Sequence, residues 1–306
     1  MRYNEAMTDA LTETQLDLPM IHRGKVRDTY GLGEDTLLLV ATDRVSAFDV
    51  VLPTGVPGRG IVLSEISAFW FRRSGHEFPN HFIGMAYEPD VANQYKLGNL
   101  DEAVARRAMV VRKAERIDIE CVVRGYITGS ALAEYRKSGS VQGYDLPADM
   151  VDSQAFESAL FTPTTKEETG HDLPLTVDEL WKQVGGNIAW PLEEHSLALY
   201  RMASEYSRAM GVILADTKFE FGIIDGKISV IDELLTPDSS RYWDATIYEA
   251  GKSQPSFDKQ IIRDWLIESG WNREPPAPEL PDDIVQQTID KYRDVYQRLT
   301  SKELVL

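Results

Sequence analysis

The 306-residue chain is 43% hydrophobic and 26% charged, a balance that excludes a disordered, collagenous or membrane-embedded protein and suits about two domains. Thirty-two bases against 49 acids leave a net charge of −17, which disfavours nucleic acid as a partner and leaves small anions welcome only where cations are gathered locally. A single cysteine, Cys121, argues against a disulfide framework or a thiolate-rich metal site, and the acidic start (Glu5, Asp9, Glu13, Asp17), with no apolar run of membrane-spanning length, predicts a cytoplasmic protein without signal peptide or membrane segment.

The first 120 residues read mainly as strands and turns, with strands at Gly24–Tyr30, Thr36–Thr42, Met109–Ala114 and Ile119–Val123. One helix, Ser64–Arg73, interrupts them, with Ser64 as its N-cap. In the first strand Arg23, Lys25 and Arg27 fall at period two, hence on one face beside the Gly31-Leu32-Gly33 turn. Such a face suits a polyphosphate or is simply solvated; no Walker loop is present. Asp43 to Asp49, at the end of the second strand, gathers Asp43, Arg44, Ser46 and Asp49 and serves either a ligand or the capping of a turn.

From Glu120 a buried-looking strand runs to Arg124 and into Gly125–Ser130, which opens a helix over Ala131–Ser138. A guanidinium beside a helix start makes Arg124 and Ser130 a candidate anion site, the alternative being a structural arginine paired with Glu120 or Glu134. Further helices are expected at Leu175–Val184 and Glu194–Met210, the latter closed by Gly211. A strand pair, Val212–Ile224 and Lys227–Leu234, follows, turning at Asp225-Gly226. After the stiff Pro275–Pro281 stretch, a last helix over Asp282–Ser301 carries an apolar stripe from Ile284 to Leu299.

The densest chemistry lies on the Val212–Ile224 strand, where Asp216, Lys218 and Glu220 share one face and Phe219 and Phe221 the other. Buried charge of this kind requires pairing or a metal, and two carboxylates, Glu220 and Asp232, flanking a lysine suit Mg²⁺ serving a nucleotide. A strict two-residue turn would pair Glu220 with Ile231 and send Asp232 to the opposite face, so an odd-length connection or a bulge is expected. The five histidines (22, 76, 81, 171, 195) show no zinc spacing, and no G-x-S-x-G elbow occurs.

Taken in order, Gly24–Tyr30, Thr42–Asp49, Glu120–Ser130, Leu214–Gly222 and Asp232–Trp243 closely resemble the SAICAR synthetase (phosphoribosylaminoimidazole-succinocarboxamide synthase) family. The segment from Tyr248 to Lys252 and on through Phe257-Asp258-Lys259-Gln260 resembles its longer members, whereas Asp118 stands where the family usually has proline. The resemblance implies an α+β fold: an antiparallel β-rich lobe, kinase-like and related to ATP-grasp folds, over residues 1–115, and a larger α+β domain over 116–306 with the metal and substrate sites and the C-terminal helices, ATP lying between them. It implies ATP-dependent joining of L-aspartate to the carboxylate of carboxyaminoimidazole ribonucleotide (CAIR), with Mg²⁺, in purine biosynthesis, by a monomer or small homo-oligomer. It assigns Gly24, Lys25, Arg27, Arg112, Lys113, Ala114 and Lys166 to ATP. Lys218, Glu220 and Asp232 go to catalysis, with Glu220 and Asp232 as metal ligands. Arg124, Ser130, Asp238, Arg241, Asp43 and Ser46 go to the substrate side. Two rivals are a small-molecule phosphotransferase using the same residues and a non-catalytic nucleotide-binding module.

Overall fold

The computed structural model describes residues 9–167, 172–257 and 259–304; His171 and Asp258 lie outside them. In chain order the elements are β1 (Met20–Arg23), β2 (Arg27–Gly31), β3 (Thr36–Ala41), β4 (Ser46–Ala47), β5 (Val50–Val51), α1 (Arg59–Ser74), β6 (Phe82–Met85), α2 (Pro89–Gln94), α3 (Glu102–Ala105) and β7 (Ala108–Arg112). They continue with β8 (Glu115–Tyr126), α4 (Gly129–Ser138), β9 (Ser140–Val141), β10 (Tyr144–Asp145), β11 (Ala155–Phe161), β12 (Thr164–Thr165), α5 (Val177–Val184) and α6 (Gly186–Ala209). Then follow β13 (Val212–Ile224), β14 (Lys227–Ile231), β15 (Ser240–Asp244), α7 (Gln260–Glu268) and α8 (Asp282–Thr300). Among the described residues no helix is long and apolar enough to cross a membrane.

Two compact units result: the described residues of Met1–Phe69, Phe82–Lys113 and Asp258–Leu306, and those of Trp70–His81 and Ala114–Phe257. The change at 113/114 falls beside the expected 115/116 boundary, but the C-terminal helices, expected with the second domain, group with the first unit. The apolar stripe of α8 is buried through Val285, Ile289, Tyr292, Val295 and Leu299, as its period requires. Its surroundings include Arg59, whose guanidinium lies 5.9 Å from the Tyr292 ring centre. A stripe announces that a helix packs; it does not name the surface it packs on.

The first unit is built on an antiparallel sheet in the order β1-β2-β3-β7-β6. Tyr30, Leu38, Val40, Ala108 and Val110 fill its core. The single strand expected from Gly24 is in fact the second arm of a hairpin. Arg23 pairs with Asp28, and the Gly24 N–H donates to the Arg27 carbonyl at 2.7 Å, so Lys25 and Val26 form the tip. The three cations therefore do not share a strand face: Arg23 turns to Asp28 at 3.5 Å and to the Thr14 carbonyl at 2.9 Å. Helix α1 begins five residues before the expected Ser64, which is buried inside it and donates to the Arg107 carbonyl at 2.8 Å instead of capping.

In the second unit an antiparallel sheet runs β11-β8-β13-β14, with β12 added to β8 and β15 to β13. Strand β13 occupies the expected span, and Ala215, Thr217, Phe219 and Phe221 are buried along one face. Helix α6 packs on β13 and starts eight residues earlier than expected, because Pro191 is absorbed into it; Gly211 follows with φ +75. Gly125 on β8 leaves room for α6: a Cβ there would lie 1.9 Å from the Tyr200 hydroxyl, which donates to the Leu214 carbonyl at 2.7 Å.

The β13–β14 hairpin corrects one expectation. Its ladder is regular from Glu220↔Ile231 to Ile224↔Lys227, closed by the two-residue turn with Asp225 at φ +50 and Gly226 at φ +72. The irregularity comes one residue later, at Asp232, which leaves the strand with φ +68. Asp tolerates this left-handed conformation better than most residues, so the chain turns without a bulge in that ladder. The register shifts lie on the other ladders of β13, with β8 beyond Glu220 and with β15 beyond Leu214. The first of these releases 117–119, Asp118 included, from direct register with β13.

Candidate active site

Pairing of β8 with β13 sets Glu120 opposite Glu220 and Arg124 opposite Asp216, while β15 sets Arg241 opposite Asp216. With Val122 opposite Lys218, alternation places Glu120, Arg124, Asp216, Lys218 and Glu220 on the same side of the sheet. Beyond β12, whose Thr164 pairs with Glu120, the Lys166 N–H donates to the Asp118 carbonyl at 3.2 Å. The ionisable face thus has two ends of different character.

At one end stand lysines and carboxylates. Lys218 Nζ donates to Glu120 Oε1 at 2.5 Å; Lys166 donates to Glu220 and lies 3.6 Å from Glu120. Burial opposes the charge of Lys218, but Glu120, Glu220 and Glu233 outweigh it and hold the ammonium well above its ordinary pKa. For Glu220, burial and then the charge of Asp232 push the pKa up, against the pull of Lys166 and Lys218. The left-handed turn at Asp232 therefore brings the expected carboxylate pair into electrostatic contact.

At the other end stand guanidinium groups. Arg124 donates through Nε to Thr162 Oγ1 at 3.0 Å and through Nη2 to Ser130 Oγ at 3.3 Å, and its Nη1 lies 3.5 Å from Asp216 Oδ2. The same Asp216 oxygen accepts from Arg241 Nη1 at 3.0 Å. Helix α4 starts here: its N-cap is Thr128, whose side chain makes no capping bond. Gly129 has φ +57, and a Cβ on it would lie 3.1 Å from Arg241 Nη2. Cations and a helix N-terminus meeting in this way favour an anion.

The remaining expected residues are dispersed. Lys25 at the hairpin tip pairs with Asp49 at 2.6 Å, both well exposed. Arg112 ends β7, and the Lys113 N–H donates to the Asp35 carbonyl at 2.8 Å. Ser46 is half-buried on β4, and Asp238 sits in the Thr236–Ser240 turn, its N–H donating to Thr236 Oγ1 at 3.2 Å. Asp43 is a correction. It is 1% exposed, accepts from the Leu11 N–H at 2.8 Å and the Gly60 N–H at 2.9 Å and forms an ion pair with Arg107 at 2.7 Å, which leaves it no surface for a substrate.

Two residues enter the site that sequence reasoning left outside it, Glu120 and Asp216. Parity contained part of the signal, since Glu120 and Arg124 lie on one face of their strand and Asp216, Lys218 and Glu220 on one face of theirs. Which strand pairs with which, and that Arg124 meets Asp216 instead of Glu120 or Glu134, required the register. Among the described residues no group of three or more His, Cys, Asp or Glu is arranged to hold a metal; the expected ligand set, Glu220 and Asp232, is a pair.

Comparison with known proteins bears on this arrangement as a whole. Residues 20–278 match the family model described as SAICAR synthetase. The phosphoribosylaminoimidazole-succinocarboxamide synthase of Maridesulfovibrio salexigens is 45% identical over 302 residues, covering 97% of this chain and 99% of its own. That of Thioalkalivibrio sulfidiphilus is 47% identical over 300 residues, covering 96% and 99%. The solved SAICAR synthase of Saccharomyces cerevisiae, complexed with SAICAR, superposes with a TM-score of 0.87 at 39% identity, over 97% of this chain and all of that one.

Proposed function

Because the chain belongs to the SAICAR synthetase family, we propose that it joins the amine of L-aspartate to the carboxylate of CAIR, converting ATP to ADP and phosphate and releasing SAICAR. The observation that carries this reading is likeness over nearly the whole chain, joined to a sheet face that bears a lysine–carboxylate end and a guanidinium end.

A carboxylate resists an amine because the departing group would be oxide. Transfer of the γ-phosphoryl group to a CAIR carboxylate oxygen breaks its bond to ADP and makes an acyl phosphate. The aspartate nitrogen then attacks the acyl carbon, inorganic phosphate leaves, and the nitrogen loses its proton. Such chemistry asks for positioning and charge stabilisation more than for a covalent nucleophile. Lys218, kept charged by its acidic neighbours, is suited to stabilise the anionic acyl phosphate. Arg124, Ser130 and Arg241 are suited to the ribonucleotide phosphate: Ser130 accepts from Arg124, which leaves its own hydroxyl proton available to donate. We assign Gly24, Lys25, Arg27, Arg112, Lys113, Ala114 and Lys166 to ATP, and Ser46 and Asp238 to the substrate side.

Glu220 and Asp232 fit Mg²⁺ in donor chemistry, both being carboxylates, with mutual repulsion that a cation relieves. When bound there, the ion would neutralise charge on the transferring phosphoryl group. Its involvement, and a cytoplasmic location, belong to the proposal.

The deciding measurement is stoichiometry. ADP and SAICAR should form in equal amounts and only with ATP, CAIR and L-aspartate all present; full-rate ADP formation with CAIR alone would instead establish the phosphotransferase.

A further inference from the structure

Asp216 is absent from every role assigned above, yet it occupies the centre of the guanidinium end. It is 9% exposed and faces Arg124 from β8 and Arg241 from β15 through one carboxylate oxygen, at 3.5 and 3.0 Å. Two guanidinium ions held this close repel, and burial disfavours the charge on Arg124 further, while Asp216 counters both. The other nitrogens of Arg124 are also directed, Nε by the buried Thr162 and Nη2 by Ser130. The carboxylate thus ties together two strands that meet only through β13, and it fixes both forks before any ligand arrives.

We propose that Asp216 is a positioning residue, which presets Arg124 and Arg241 as one two-armed receptor for the phosphate monoester of the ribonucleotide. The proposal rests on the ribonucleotide lying at this end of the face. In this role Asp216 does not touch substrate. It removes one of two positive charges, so the receptor stays assembled when empty, and it leaves Arg241 Nη2, the Ser130 hydroxyl and the first turn of α4 to receive the anion. A rotatable arginine pair would have to be ordered at the moment of binding; a preset pair does not. An acid at the centre of an anion site is repulsive in itself, so its benefit must come through the arginines. That makes the idea separable from a direct contact.

The test is a double-mutant cycle on the full-length enzyme with Asp216→Asn, Arg241→Ala and the pair, together with Arg124→Ala, reading KM for CAIR, ATP and L-aspartate, kcat and Tm. Asp216→Asn should raise KM for CAIR about tenfold while the other two KM values stay within about twofold and kcat changes little. In the Arg241→Ala background the same substitution should have little further effect. Equal loss across all three KM values, or strict additivity with Arg241→Ala, overturns the positioning role in favour of a structural one. If Arg124→Ala and Arg241→Ala raise KM for CAIR but Asp216→Asn does not, the positioning role alone fails. If both arginine variants leave KM for CAIR unchanged, the placement of the ribonucleotide fails and the role falls with it. Should the Asn variant not fold, Asp216→Glu serves: it keeps the charge but shifts the oxygen, and should still raise KM for CAIR; an unchanged value overturns the proposal.

Discussion

Each unit buries carboxylates, and the two units treat them differently. In the first, Asp43 accepts from two backbone N–H groups and is ion-paired with Arg107. The two N–H bonds tie Asp43 to residues 11 and 60, so exchanging those partners would mean moving backbone. In the second unit, the hydrogen-bond partners of Glu120 and Glu220 among the described residues are the ammonium groups of Lys218 and Lys166. A lysine has a flexible stem and can pivot to a ligand while the strand stays in place. Buried charge alone is therefore no mark of a site; what separates Asp43 from Glu120 and Glu220 is that backbone answers the first and movable side chains the others.

Substitutions should separate the two kinds. Glu220→Gln should lower kcat on the order of 10³-fold with Tm close to that of the unchanged protein, measured by steady-state turnover across a Mg²⁺ titration. Retained turnover would take Glu220 out of the chemistry. Asp43→Asn should do the reverse, costing about 3 kcal/mol of stability by denaturant titration while the folded fraction keeps its kcat, because it strips one charge from a buried ion pair and leaves Arg107 unneutralised. A stable but inactive Asp43→Asn protein would collapse the comparison. Gly129→Ala probes the place where backbone does shape the second unit's site. Its left-handed φ and the approach to Arg241 should cost about 1 kcal/mol of stability and raise KM for CAIR several-fold, with kcat preserved.

The smallest effect concerns His195, which packs against the rings of Phe78 and Phe221 at 6.0 and 6.4 Å and whose pKa burial pushes down, against Glu194. The unfolded chain binds this proton more readily, so stability rises with pH: the contribution is present above about pH 6.5 and is lost as the pH falls through the lower folded value. His195→Gln should flatten the fall in Tm between about pH 7 and 5; an undiminished fall assigns it to the carboxylates.

Much of this was legible in the sequence, and the limits have physical causes. Strand β13, the Asp225-Gly226 turn and the stripe of α8 followed from period and turn chemistry, which are local. The true start of α1 before Ser64, the passage of α6 through Pro191 and the hairpin at Gly24–Arg27 did not, because packing overrode the local signals. In the site, alternation announced that Asp216, Lys218 and Glu220 share a face. It could not say that Glu120 lies opposite Glu220, nor that Asp43, with the same chemistry at a strand end, is enclosed by backbone donors. The odd-length connection or bulge expected of the hairpin is absent: its ladder is regular, and the chain turns instead at Asp232 through a single dihedral angle, which no spacing in the sequence announces.

The β8–β13 ladder also sets a schedule. Lys218 and Glu120 are 98 residues apart in sequence, and Arg124 and Asp216 are 92 apart. A chain emerging from the ribosome at about 5–20 residues per second makes β8 on the order of 5–20 s before the strand that completes it. During that interval Cys121 and Val123 lack the β13 neighbours that later help bury them, and closing so long a loop is the slow kind of folding step. Neither end of the ionisable face can assemble until the other strand exists, so no fragment ending before β13 can carry even half of the site.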